Sequence, residues 1–121
     1  MTKTIFKLGL AAFALGFAGQ ALAYAQLKSA ISADKSTIKS SPGELDLTFT
    51  EGLNLKFSGI KVTGPDKASI KLDDPMLKQS DTVLMVPLSG MLGAGTYTVE
   101  WHALSTDGHK TNGSYTFTVK P

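Results

Sequence analysis

Leu45, Leu47 and Phe49 alternate with Asp46 and Thr48, a period of two that puts three apolar side chains on one face of a half-buried strand. The alternation returns near the C-terminus. Tyr97, Val99, Trp101 and Ala103 share one face there, with Thr98, Glu100 and His102 on the other. Tyr115, Phe117 and Val119 then alternate with Ser114, Thr116 and Thr118. Shorter runs predict strands over 26–30, 57–62, 69–72 and 82–88, with Pro87 marking an edge or an end. Ser41-Pro42-Gly43, Gly64-Pro65-Asp66 and Asp73-Asp74-Pro75 punctuate them as turns. No helical period follows residue 23. The pattern predicts an all-β, seven-stranded sandwich.

Leu92-Gly93-Ala94-Gly95-Thr96-Tyr97 refines that picture. A Leu, a Gly and a Tyr at this spacing look like the tyrosine corner of Greek-key sandwiches, in which the phenol hydroxyl ties a strand start to the preceding connection. Trp101 reads as the core anchor and His102, of opposite parity, as exposed. Met85 is expected in the core, and Met76 and Met91 as loop fillers.

The first residues carry a different pattern. Lys3 and Lys7 precede an apolar run over 8–18, and Ala21-Leu22-Ala23 fits the small-x-small site of a secretory signal. A membrane span needs about 20 apolar residues, so the run is too short to be one. Residues 1–23 are therefore expected to be removed, leaving 24–121 as one domain. Ala23-Tyr24-Ala25 offers a second cleavage point, but the first is preferred and makes Tyr24 the mature first residue. A soluble periplasmic protein with no membrane insertion of the mature chain is the expectation.

Charge then removes one class of function. The chain has 12 cationic and 10 acidic residues. Two of the cations lie in the signal, so the mature charge is near zero. There is no arginine and no basic stripe to track phosphates, which argues against nucleic acid. Cysteine is absent too, leaving histidine, carboxylate, methionine and the free amine as metal donors.

The chemistry gathers in residues 101–113, which hold the single tryptophan and both histidines. Asp107 and His109 are two apart, so an extended loop projects both to one side. A carboxylate with an imidazole suits Cu(II) or Zn(II), although Cu(II) asks for about four N and O donors. Asp107-Gly108 is also a good solvated turn. Ser105, Asp107 and His109 lack a nucleophile elbow or an oxyanion loop, so a hydrolase is not expected. Met76, Met85 and Met91 lack the short spacing of a thioether Cu(I) site.

These pieces resemble the CopC-type periplasmic copper-binding (copper resistance) family, and within it a short YobA-like branch. The matching segments are Leu27-Lys28-Ser29-Ala30, Leu47-Thr48-Phe49-Thr50-Glu51-Gly52, Phe57-Ser58-Gly59, the 92–99 corner, residues 101–113 and Tyr115-Thr116-Phe117. The resemblance implies a seven-stranded Greek-key sandwich, cupredoxin- or immunoglobulin-like, that carries Cu(II) at one end and is not an enzyme. Its Cu(II) ligands are an amino-terminal histidine, through amine and ring, with the Asp and His that fall here on Asp107 and His109. Glu51 is a weaker partner by the same comparison. Delivery to an inner-membrane copper transporter of CopD type is likewise implied.

The departure from the family is at the mature start, which reads Tyr24-Ala25-Gln26-Leu27. Only the Tyr24 amine remains where an amine–imidazole chelate is expected. Losing a chelate raises the ordering cost of binding, and the expected deficit is on the order of ~4 kcal/mol at tenfold per 1.4 kcal/mol. Residues 63–75 hold no methionine or histidine, so the family's Cu(I) loop is missing. The alternative is a metal-independent interaction module whose Glu100 and His102 form surface contacts. A histidine-brace oxidative enzyme is excluded by Tyr24.

Overall fold

The computed structural model describes residues 25–121; the expected signal segment and Tyr24 lie outside the described residues. Eight strands follow one another: β1 (Leu27–Ile31), β2 (Ser36–Ile38), β3 (Glu44–Phe49), β4 (Gly59–Thr63), β5 (Met76–Lys78), β6 (Val83–Pro87), β7 (Gly95–Leu104) and β8 (Lys110–Val119). They form two four-stranded sheets, ordered β1-β3-β6-β5 and β2-β8-β7-β4. All pairings are antiparallel except β2 with β8. The chain changes sheet repeatedly, so the two inner faces close over one core.

That core follows the alternation. Leu45, Leu47 and Phe49 face Val99, Trp101, Ala103, Tyr115, Phe117 and Val119 from the opposite sheet, and all are buried. Phe49 meets Trp101 edge-on, with ring centroids 5.2 Å apart at 73°, a favoured quadrupole geometry. Trp101 needs room on its own sheet as well. Its cross-strand partner is Gly113, where an added Cβ would stand 2.6 Å from Trp101 Cζ2. The indole lies where a side chain would be. The expected corner is present: Tyr97 Oη donates to the Gly93 carbonyl at 2.7 Å.

Five expectations change. The short strands β2 and β5 carry no alternation long enough to read, and they bring the count to eight. Residues 69–72 form no strand; the segment contributes only single bridges, Thr63–Ser69 and Leu72–Leu88. Phe57 belongs to a 3-10 turn, Leu55–Phe57, and is 54% exposed rather than part of β4. Met85 is not in the core. Leu84, Val86 and Leu88 face inward, so parity turns Met85 outward, half-buried. It stands there beside Met76, its partner on β5, which is a strand residue and not a loop filler.

Candidate metal centre

β7 and β8 pair over ten residues, from Gly95–Val119 to Leu104–Lys110, and residues 105–109 close the hairpin. Ser105 organises that loop. Its N–H donates to the His109 carbonyl at 2.9 Å, and its carbonyl accepts from Gly108 N–H at 2.9 Å. Its hydroxyl accepts from His109 N–H at 3.1 Å and donates to Asp107 Oδ1. Gly108 has φ +95° with nothing near its missing Cβ, so backbone conformation and not space selects glycine. Ser105 itself is 2% exposed. A buried hydroxyl thus sets the spacing of two more exposed side chains.

The loop is stitched to the segment after β3. Thr106 N–H donates to the Gly52 carbonyl at 3.0 Å, and Asn54 N–H to the Leu104 carbonyl at 2.8 Å. Ser105 and Leu53 form a bridge pair. Asp107 Oδ1 and His109 Nδ1 stand 3.6 Å apart, with side chains 53% and 41% exposed. The Ser105 hydroxyl, with help from the His109 imidazole and against partial desolvation, holds the Asp107 carboxyl below its usual value. The two side chains predicted to act together are therefore adjacent, and the carboxylate is kept ionised.

Other candidates are not brought in with them. Glu51 is half-buried in the turn after β3, yet among the described residues no three of His, Asp and Glu converge as a metal-holding group. His102 is exposed on β7, cross-strand to Asn112. With Lys61 and Glu100 it lines a concavity of about 630 Å³ on the outer face of the second sheet, which neither Asp107 nor His109 reaches. No helix among the described residues is long and apolar enough to cross a membrane.

Two threonines that sequence reasoning passed over fix where the chain enters the fold. Thr111 Oγ1, two residues beyond His109, donates to the Ala25 carbonyl at 2.6 Å. Thr50 pairs with Gln26 both ways: its Oγ1 accepts from Gln26 N–H at 3.0 Å and its N–H donates to the Gln26 carbonyl at 2.9 Å. Ala25 is fully buried. The first described residue is thus anchored beside the hairpin loop.

A CopC domain model matches residues 27–120, from the first strand through the last. The chain belongs to the CopC family. Protein YobA of Escherichia coli K12 is 46% identical over 89 residues, covering 73% of this chain and 72% of that protein. Copper resistance protein C of Escherichia coli is 35% identical over 102 residues, covering 78% and 79%. Among solved structures, PcoC, a methionine-rich copper resistance protein from Escherichia coli, superposes with a TM-score of 0.71 at 33% identity, covering 80% of this chain and 99% of that one. The CopC region therefore contains the tyrosine corner, the Trp101–Gly113 contact and the Asp107/His109 hairpin together.

Proposed function

We propose that the mature chain is a non-enzymatic periplasmic copper protein that takes Cu(II) as cargo at Asp107 and His109. In this reading residues 1–23 are its export signal and 24–121 the working domain. The observation that carries it is the 3.6 Å approach of Asp107 Oδ1 to His109 Nδ1 on a loop fixed by Ser105. An oxygen and a nitrogen donor suit Cu(II). The copper resistance relatives support copper as the metal.

Two side chains supply half of a tetragonal set. The Tyr24 amine is the third donor we assign, as the amine that cleavage after Ala23 would create next to Ala25, whose carbonyl Thr111 holds. Water completes the set, with Glu51 as a weaker contributor. Without an amino-terminal imidazole the site binds weakly and exchanges readily. That behaviour suits buffering, or transfer to an inner-membrane copper transporter of CopD type.

Cu(II) titration followed by EPR, on protein whose first residue is established by intact mass, tests the reading. Nitrogen and oxygen coordination that disappears in Asp107→Ala and in His109→Ala is expected. Binding unaffected by both substitutions, or no tighter than free histidine, overturns it. The absence of a third imidazole or carboxylate beside the pair among the described residues favours one rival, a metal-independent interaction module on the same fold. That module predicts the second result.

A further inference from the structure

The soft donors among the described residues are Met76, Met85 and Met91, since the chain has no cysteine. Their spacing along the chain makes no thioether motif, but the fold brings two of them together. Met76 on β5 and Met85 on β6 are register partners in an antiparallel pair. Both lie on the outer face of the first sheet, Met76 46% exposed and Met85 half-buried. Residues directly opposite one another have Cβ atoms about 4.5–5.5 Å apart. Methionine adds three rotatable bonds and a polarizable sulfur, so two thioethers at this separation can reach one ion. Met91 is 90% exposed and belongs to no strand.

The charges around the pair are balanced. Lys78, two residues along β5 and on the same face, holds its ammonium 3.7 Å from the carboxylates of both Glu44 and Asp46. Asp46 is also the partner of Met85 on β3. The Lys78 charge is thus offset by two carboxylates.

We propose that Met76 and Met85 form a second metal site, which takes a soft monovalent cation of the Cu(I) and Ag(I) class through its two thioether sulfurs. Soft, neutral sulfur donors select such ions, whereas imidazole and carboxylate suit Zn(II) and Cu(II). Met76, the more exposed of the two, gives the ion its path from solvent. The pair sits on the first sheet and the Asp107/His109 hairpin on the second, so the inference is independent of Cu(II) at the hairpin loop.

NMR of the mature chain labelled with 13C at its methionine methyls tests it, by titration with silver nitrate in chloride-free buffer and with zinc nitrate as control. The Met76 and Met85 methyls should shift along one common saturation curve under Ag(I) and stay in place under Zn(II). Met91 should shift only at higher Ag(I). Met76→Leu and Met85→Leu are volume-conserving swaps. Each should weaken binding at the remaining methionine roughly tenfold or more, as expected when the second of two linked donors is lost. Met91→Leu, and Asp107→Ala combined with His109→Ala, should leave the curve of the pair unchanged. Met91 shifting in step with the pair, undiminished affinity in both leucine variants, the same shifts under Zn(II), or loss of the curve in the Asp107→Ala/His109→Ala protein each overturns the proposal.

Discussion

Strand β7 and the loop it feeds obey different rules although they are continuous. Trp101 is held by shape: it is buried, meets Phe49 edge-on and fills the space that Gly113 leaves free. Asp107 and His109, a few residues on, are held by hydrogen bonds through Ser105 and lie about half open to solvent. The first region should tolerate no change of volume and ignore metal. The second should tolerate loss of side chains and lose its chemistry. On the proposed function, stability and metal binding should be separable along a single hairpin, as in folds whose end loops carry function.

The largest expected effect is on the packed side. Trp101→Ala should cost about 3–5 kcal/mol as a core truncation, read from urea denaturation. Gly113→Ala tests the same contact from the other strand. A methyl 2.6 Å from Trp101 Cζ2 cannot be absorbed by a free chain end, so the indole or the strand must shift. Overpacking of this kind costs about 1–3 kcal/mol. If Gly113→Ala is neutral, the indole does not rest where the core argument puts it.

Thr111→Val lies at the border between the two regions. It keeps the shape and removes the donor to the Ala25 carbonyl. Leaving a buried acceptor unmade costs about 1–3 kcal/mol. The same substitution loosens the chain start, so Cu(II) affinity measured by competition should fall even though Thr111 supplies no ligand. A drop in stability with unchanged copper affinity would detach the amino terminus from the site.

Much of this was legible in the sequence, for reasons that differ by element. The alternation of 45–49, 97–103 and 115–119 survives because those strands are buried on one face only. Strands β2 and β5 are three residues each, too short for a period to emerge. Met85 misled because hydrophobicity alone does not reveal which face a residue takes. Parity with Leu84 and Val86 does. At the loop, the adjacency of Asp107 and His109 was readable from their two-residue spacing. Ser105 was considered only as a nucleophile, and its role as an internal brace needs the loop's hydrogen bonds to be seen. Thr50 and Thr111 had no signal at all, since they act on a segment far away in the chain, Ala25–Gln26 in space beside them.

The smallest expected effect is also the sharpest test of how the loop is built. In the folded protein the Asp107 carboxyl is held below its usual value, chiefly by the Ser105 hydroxyl. A carboxyl depressed on folding adds stability that is present above its unfolded pKa, about 3.9, and lost as pH falls through the folded value. The carboxyl is exposed, so screening keeps the gain small. Site-resolved NMR of the Asp107 carboxyl should give a midpoint below that unfolded value. Ser105→Ala should move the midpoint upward, and Asp107→Asn should lower stability slightly at neutral pH while leaving it unchanged below the folded value, which flattens the acid side of the profile. A midpoint that stays put in Ser105→Ala would mean the carboxylate is set by the His109 imidazole and the backbone N–H groups of residues 107 and 109, and the loop would then owe its order to the backbone bonds of residue 105 and not to its hydroxyl.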